Sequence, residues 1–179
     1  MNDNAVPNES RPPVDVDGYK RRTVWVAAVI GALIGAALCG VIIFTVMPSA
    51  MIVTHDSRLG FDETVSALEE SIADEGWVVS TVMDMNKSMA KHGVELEPRV
   101  KLVKLCHPQY AKSVLTTDRE ISTFMPCTLA VWEDDEGEVR ISSMNMGLMA
   151  KMFGGNVAKV MGGQVVADEK AILSRVLED

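Results

Sequence analysis

The groups in this chain with most chemical potential are two thiols, an imidazole and the prolines beside them. Cys106-His107-Pro108 closes one stretch of alternating apolar and basic residues, and Pro126-Cys127 opens another. Only the thiolate of a cysteine is a good nucleophile, and both a neighbouring histidine and a helix starting at Pro108 favour it. Thiol exchange is therefore one chemistry, with Cys106 attacking and Cys127 resolving. A structural disulfide between the two is a second; closing a loop of about twenty residues would stabilise the domain by ~3 kcal/mol in the chain-entropy picture. A third is soft ligation, since Cys, His and Met bind copper(I) and haem iron. For a metal or haem the candidates are His107, Met144 and Met146, against the ordinary role of methionine as a core filler. The fourth alternative is two inert thiols. The ligand-binding set read from these motifs is Cys106, His107, Pro108, Pro126 and Cys127.

Other chemistries are excluded by spacing. There is no Cys-x-x-Cys, so a thioredoxin-type site and a c-type haem attachment are both absent. Gly154-Gly155 and Gly162-Gly163 match no phosphate-binding loop. His55 and His92 stand alone as surface or strand-end residues. Asp134, Asp135 and Glu136 form an acidic turn without the spacing of a calcium loop. The net charge is −8. Acids and bases balance over residues 1–50, so the excess lies in the C-terminal part, which argues against nucleic acid as a partner.

The elements that must position these residues follow a strand-helix order. Residues 51–54 read as a first strand. Phe61, Val65, Leu68 and Ile72 recur at helical spacing, with Asp62 and Glu63 at the positive end of the helix dipole and Gly76 past its close. Residues 77–82 are a second strand, and 84–93 a short helix. A third strand runs over 99–106, a helix from Pro108, a connection over 118–125, and a fourth strand over 126–132. The acidic turn leads to a fifth strand over 138–142, the clearest hairpin in the chain. Helical segments follow, broken at the two Gly-Gly pairs. MFGGNV and MGGQVV look alike, but two copies so short establish no repeat. This order implies an α+β fold, a two-layer domain with a mainly antiparallel sheet covered by helices.

Ahead of this domain, Thr23 to Met47 holds no charged residue. At about 1.5 Å rise per residue it is long enough to cross a hydrocarbon core of roughly 30 Å. It is too long for a signal-peptide core, Leu38 before Cys39 does not suit lipidation, and the run is apolar on every face. Lys20, Arg21 and Arg22 place the N-terminus in the cytoplasm and the domain outside. The expected organisation is a disordered cytoplasmic tail over 1–22, a transmembrane helix over 23–47 and an extracytoplasmic domain over 48–179, in the inner membrane. Gly31 and Gly35 form a G-x-x-x-G step that would suit a homodimer.

The run Lys104 to Ala111, then Phe124-Met125-Pro126-Cys127-Thr128 and the hairpin, together with the Gly-aromatic end of GFDETVSALEESIADEGW, resembles domain-of-unknown-function family 302 over residues 51–177. His107 departs from the asparagine more often found there. The resemblance implies a two-layer α+β domain and a position for a site, and no reaction. The leading functional expectation is a non-enzymatic binding or accessory module presenting a small site near Cys106, His107, Pro126 and Cys127 to a ligand or redox partner. The rivals are a thiol-active redox or sulfur-carrier protein and a docking subunit of a membrane complex that uses the apolar helices after Met144.

Overall fold

The computed structural model of the chain describes residues 16–177. It divides into two compact units between Thr45 and Val46. The first is most of one long helix, α1 (Val16–Met51). Its stretch Val24–Met47 is long and apolar enough to cross a membrane, by length and composition. The helix begins before the apolar run; the part of the expected tail that precedes Val16 lies outside the described residues. Side chains along it, among them Val24, Leu33 and Phe44, are exposed. An added Cβ at Gly31 or Gly35 would meet nothing within 4 Å.

The second unit passes from α1 into strand β1 (Ile52–Asp56) without a loop. It continues through α2 (Phe61–Asp74), β2 (Val78–Asp84), α3 (Met85–Ala90), β3 (Val100–Cys106) and α4 (Pro108–Thr117). A 3-10 turn (Arg119–Phe124) precedes β4 (Cys127–Glu133), β5 (Val139–Met144), α5 (Met146–Phe153) and α6 (Gly155–Lys159). A π-helical segment (Val160–Val165) leads into α7 (Val166–Leu173). The sheet order is β1-β5-β4-β3-β2, and every pairing is antiparallel.

Sequence chemistry explains the elements. In α2 the stripe Phe61, Val65, Leu68 and Ile72 is buried, as a helix with one apolar face requires. Gly76 follows it with φ 77°, a left-handed conformation that a side chain would oppose. The β4–β5 hairpin is organised by Asp134, whose carboxylate accepts from the backbone N–H of Glu138 (2.9 Å) and Glu136 (3.1 Å) and from Arg140 Nε (2.7 Å). The Arg140 hydrogen bond, more than any other contact, holds its carboxyl below the usual range. The acidic turn is thus a structural device.

Strand alternation puts Val103, Leu105, Leu129, Val131, Val139 and Ile141 on one face, all buried. These pack with α2 and the α5–α7 run in a single hydrophobic core. On the opposite face Leu102, Lys104, Ala130, Trp132 and Ser142 are half-buried and Thr54 is exposed, with Thr54 and Ser142 hydroxyls 2.8 Å apart. The two Gly-Gly phrases are not a structural repeat. Gly154 (φ 70°) and Gly155 (φ 54°) turn the chain between α5 and α6, whereas Gly162 and Gly163 sit inside the π segment.

Candidate functional site

β3 and β4 are antiparallel neighbours, so Cys106 and Cys127 do lie at the same end of the sheet. Their side chains leave opposite faces. Cys127 is in register with Leu105 and shares its helix-covered face, and Cys106 follows Leu105 by one residue, which turns it to the other face. Both are free thiols. Burial pushes the Cys106 thiol up. Cys127 is pushed up to about 12, by burial first and then by the negative charge of Glu169 and by Cys106. At pH 7 Cys127 is thus held as the neutral thiol. The lowered thiol pKa expected from the adjacent histidine is therefore not what the fold produces, because the dominant influence on each sulfur is loss of water.

His107 is the residue before α4, and Pro108 takes the first helical position. Its ring stacks on Tyr110, with centroids 3.9 Å apart and planes 17° apart, and meets the edge of Trp77 at 5.5 Å. Trp77 in turn donates from Nε1 to Asp168 Oδ2 at 3.0 Å, and the Asp168 charge also acts on Tyr110. Burial first, and then Asp168, raises the Tyr110 hydroxyl. A carboxylate on α7 thus anchors Trp77, whose ring meets the edge of Tyr110 at 5.8 Å, and both rings flank the imidazole. His107 Nδ1 is shut off from solvent and has no hydrogen-bond partner. Beside it is a cavity of about 20 Å³ lined by Cys106, Cys127, Met125 and Met161 among others.

A larger cleft opens between the β1–β5 edge and helices α5 and α7. Its volume is about 360 Å³, and it is lined by Val53, His55, Ser143, Val166, Glu169 and Leu173 among others. β1 and β5 bring His55 and Ser143 onto the same face, since Val53 pairs with Ser143 and His55 with Ile141. Glu169 is half-buried here. Burial raises its carboxyl, while the neighbouring Ser143 and the charge of His55 offset part of that rise. Glu169 also borders a small cavity that Cys127 lines from the sheet side.

The raised Glu169 carboxyl has a stability consequence with a definite sign. The fold favours its protonated form, so that contribution is fully present below the ordinary value of 4.5 and is lost as pH rises through the raised folded value. Glu169→Gln imitates the protonated form at every pH. In thermal unfolding of the full chain, the variant is expected to melt higher than wild type at pH 8, with the gap closing toward pH 4. A relief of 1 kcal/mol would appear as roughly 4–8 °C in a domain near 100 residues and somewhat less in a larger one. A variant melting lower than wild type at pH 8 would contradict this assignment.

Of the residues singled out by sequence, Cys106, His107 and Cys127 line one small cavity. Pro108 and Pro126 are exposed and do not line it; Pro126, which follows a cis peptide bond, borders a groove on the other sheet face. Met144 and Met146 line the Glu169 cleft, so His107 is brought together with Met125 and Met161 and not with them. Among the described residues, no three His, Cys, Asp or Glu side chains are grouped to hold a metal ion. Sequence reasoning missed Glu169, Trp77, Tyr110 and Asp168, and took His55 for an isolated residue. One signal was available: Glu169 is four residues after Val165 and three before Ile172, a carboxylate on an otherwise apolar helical stripe.

The fold and its cavities define a class, an α+β domain with pockets between a five-stranded antiparallel sheet and its helices, preceded by an apolar N-terminal helix. The chain belongs to the family described as domain of unknown function DUF302, which matches residues 53–178. A similar solved structure is that of an uncharacterized conserved protein DUF302 from Bacillus stearothermophilus, 25% identical, with a TM-score of 0.63. The likeness covers 70% of this chain and 97% of that one. No curated protein matches the sequence.

Proposed function

We propose that the domain is a binding module that takes an apolar small molecule into the cleft beside Glu169. The single observation that carries this reading is a half-buried carboxyl, raised by desolvation, on the wall of an apolar cleft of about 360 Å³. Small-molecule sites have this character: volumes of roughly 300–1,000 Å³, apolar walls and a few convergent polar groups. Glu169, Ser143 and His55 supply the polar groups, and Val53, Val166, Leu173 and Leu177 the apolar ones. In this reading α1 anchors the module in the membrane, with Lys20, Arg21 and Arg22 on the cytoplasmic side and the domain outside. Thiol exchange and sulfur transfer draw less support, since neither Cys106 nor Cys127 is activated as a nucleophile.

Native mass spectrometry of the full chain, released from detergent after isolation from its membrane, tests the reading. The expected result is a noncovalent extra mass on the wild-type chain that is absent from Val166→Trp. Val166 is 37% exposed on the cleft wall, so tryptophan there fills the cleft from outside the core. A bare wild-type mass, or an adduct retained equally by the variant, would overturn it.

A further inference from the structure

The His107 cavity is separate from the cleft and remains unexplained by it. A buried polar nitrogen with no partner is uncommon in folded proteins and calls for something to occupy its lone pair. In neutral imidazole one ring nitrogen carries a proton and the other accepts. With the proton on Nε2, Nδ1 is a donor atom toward metal. The stack on Tyr110 and the edge contact with Trp77 hold that ring in place, and Asp168 in turn holds Trp77. The adjoining cavity of about 20 Å³ has room for one atom the size of a water oxygen. Its lining includes the thiol of Cys127, the thioethers of Met125 and Met161, and no carboxylate; Cys106 borders it from the strand end, and its side chain leaves the other face of the sheet.

We propose that His107, Cys127, Met125 and Met161 form a site for one soft monovalent cation of the copper(I) type. Thiol, thioether and imidazole donors select such an ion, whereas hard cations need oxygen ligands that this cavity lacks. A single positive charge also suits a site without an acidic side chain in its lining better than a divalent ion does. The imidazole and the thioethers bind as neutral groups, with no proton released. Cys127, joining as thiolate, releases one proton to solvent. The ion enters and leaves in the same oxidation state, so no electron acceptor is required.

The test uses the full chain in detergent with Cys39→Ser, which removes the exposed thiol of α1. Silver(I) serves as the redox-inert probe, and copper(I) is delivered anaerobically against a chromogenic chelator. The expected result is one ion retained per chain, with affinity falling about tenfold or more in both His107→Asn and Met161→Leu, a change of the size seen when a ligand or its support is removed. Met144→Leu, which alters the other cleft, should bind as wild type. Far-UV circular dichroism checks the fold of each variant. Should His107→Asn fail to fold, Met161→Leu, close in volume, still decides the matter. A wild-type chain that retains no ion would leave a single ordered water on Nδ1 as the occupant and overturn the site. Silver bound with unchanged affinity by Met161→Leu and by a folded His107→Asn would overturn it equally, because a thiol alone would then be the ligand.

Discussion

Trp77→Ala is expected to cost about 3–5 kcal/mol of folding stability, as large aromatic truncations in cores do. Trp77 is only 5% exposed and sits between the end of α2 and the start of β2, where its backbone N–H closes on Ile72 O at 3.0 Å. Its ring packs edge-on against both Tyr110 (5.8 Å) and His107 (5.5 Å). Removing it opens a void between the sheet and α7 and leaves Asp168 with one donor fewer. Trp77→Phe separates the two effects, because it keeps most of the apolar contact and loses only the hydrogen bond; it should cost less, about 1–3 kcal/mol. Urea unfolding followed by far-UV circular dichroism measures both. A loss under 1 kcal/mol for the alanine variant would show that the aromatic cluster is not a support of the core.

The second large effect is expected at Gly162. A Cβ there would lie 2.8 Å from Ala150 Cβ, whereas at the adjacent Gly163 it would meet nothing within 4 Å. Alanine normally gains up to about 1 kcal/mol over glycine in a helix. At Gly162 that gain is outweighed, because the atom it strikes is a methyl fixed to the backbone of α5 and buried at 1% exposure, so no rotamer change can relieve it. The π segment would have to move away from α5. Gly162→Ala is expected to destabilise by about 1–3 kcal/mol, the ordinary cost of overpacking. Gly163→Ala should be neutral or stabilising in the same measurement. Ala150→Gly added to Gly162→Ala removes the clashing methyl and should recover part of the loss. Equal effects at the two glycines would refute the close approach of the two elements.

Much of the architecture was legible before any coordinates, because its signals are local. The apolar run to Met47, the α2 stripe closed before Gly76, Pro108 opening α4 and the hairpin around the acidic turn each depend on residues a few positions apart. Boundaries moved by a residue or two. The connection over 118–125 turned out to be largely a 3-10 turn, and the mainly antiparallel sheet is wholly antiparallel. Composition and spacing also determined, by themselves, that a long apolar segment precedes an acidic α+β domain, while the DUF302 family was indicated by the resemblance of Lys104 to Ala111 and Phe124 to Thr128 and shown by the family match.

The sites were decided elsewhere. Cys106 and Cys127 lie at one end of the sheet, yet the register that pairs Cys127 with Leu105 sends the two thiols to opposite faces. A one-residue difference in register would have put them together, and no local pattern specifies it. Glu169, Ser143 and His55 come from α7, β5 and β1 and meet only because β1 and β5 are neighbours at the sheet edge under that helix. The same holds for His107 with Met125 and Met161, where sequence alone offered Met144 and Met146 as equally good thioethers. Burial then inverted the expected thiol chemistry, since the loss of water around each sulfur outweighs an adjacent imidazole. Helix stripes, caps and turns are short-range and survive in the sequence as patterns. Register, facing and desolvation depend on which distant segments pack together, and only the tertiary structure supplies them.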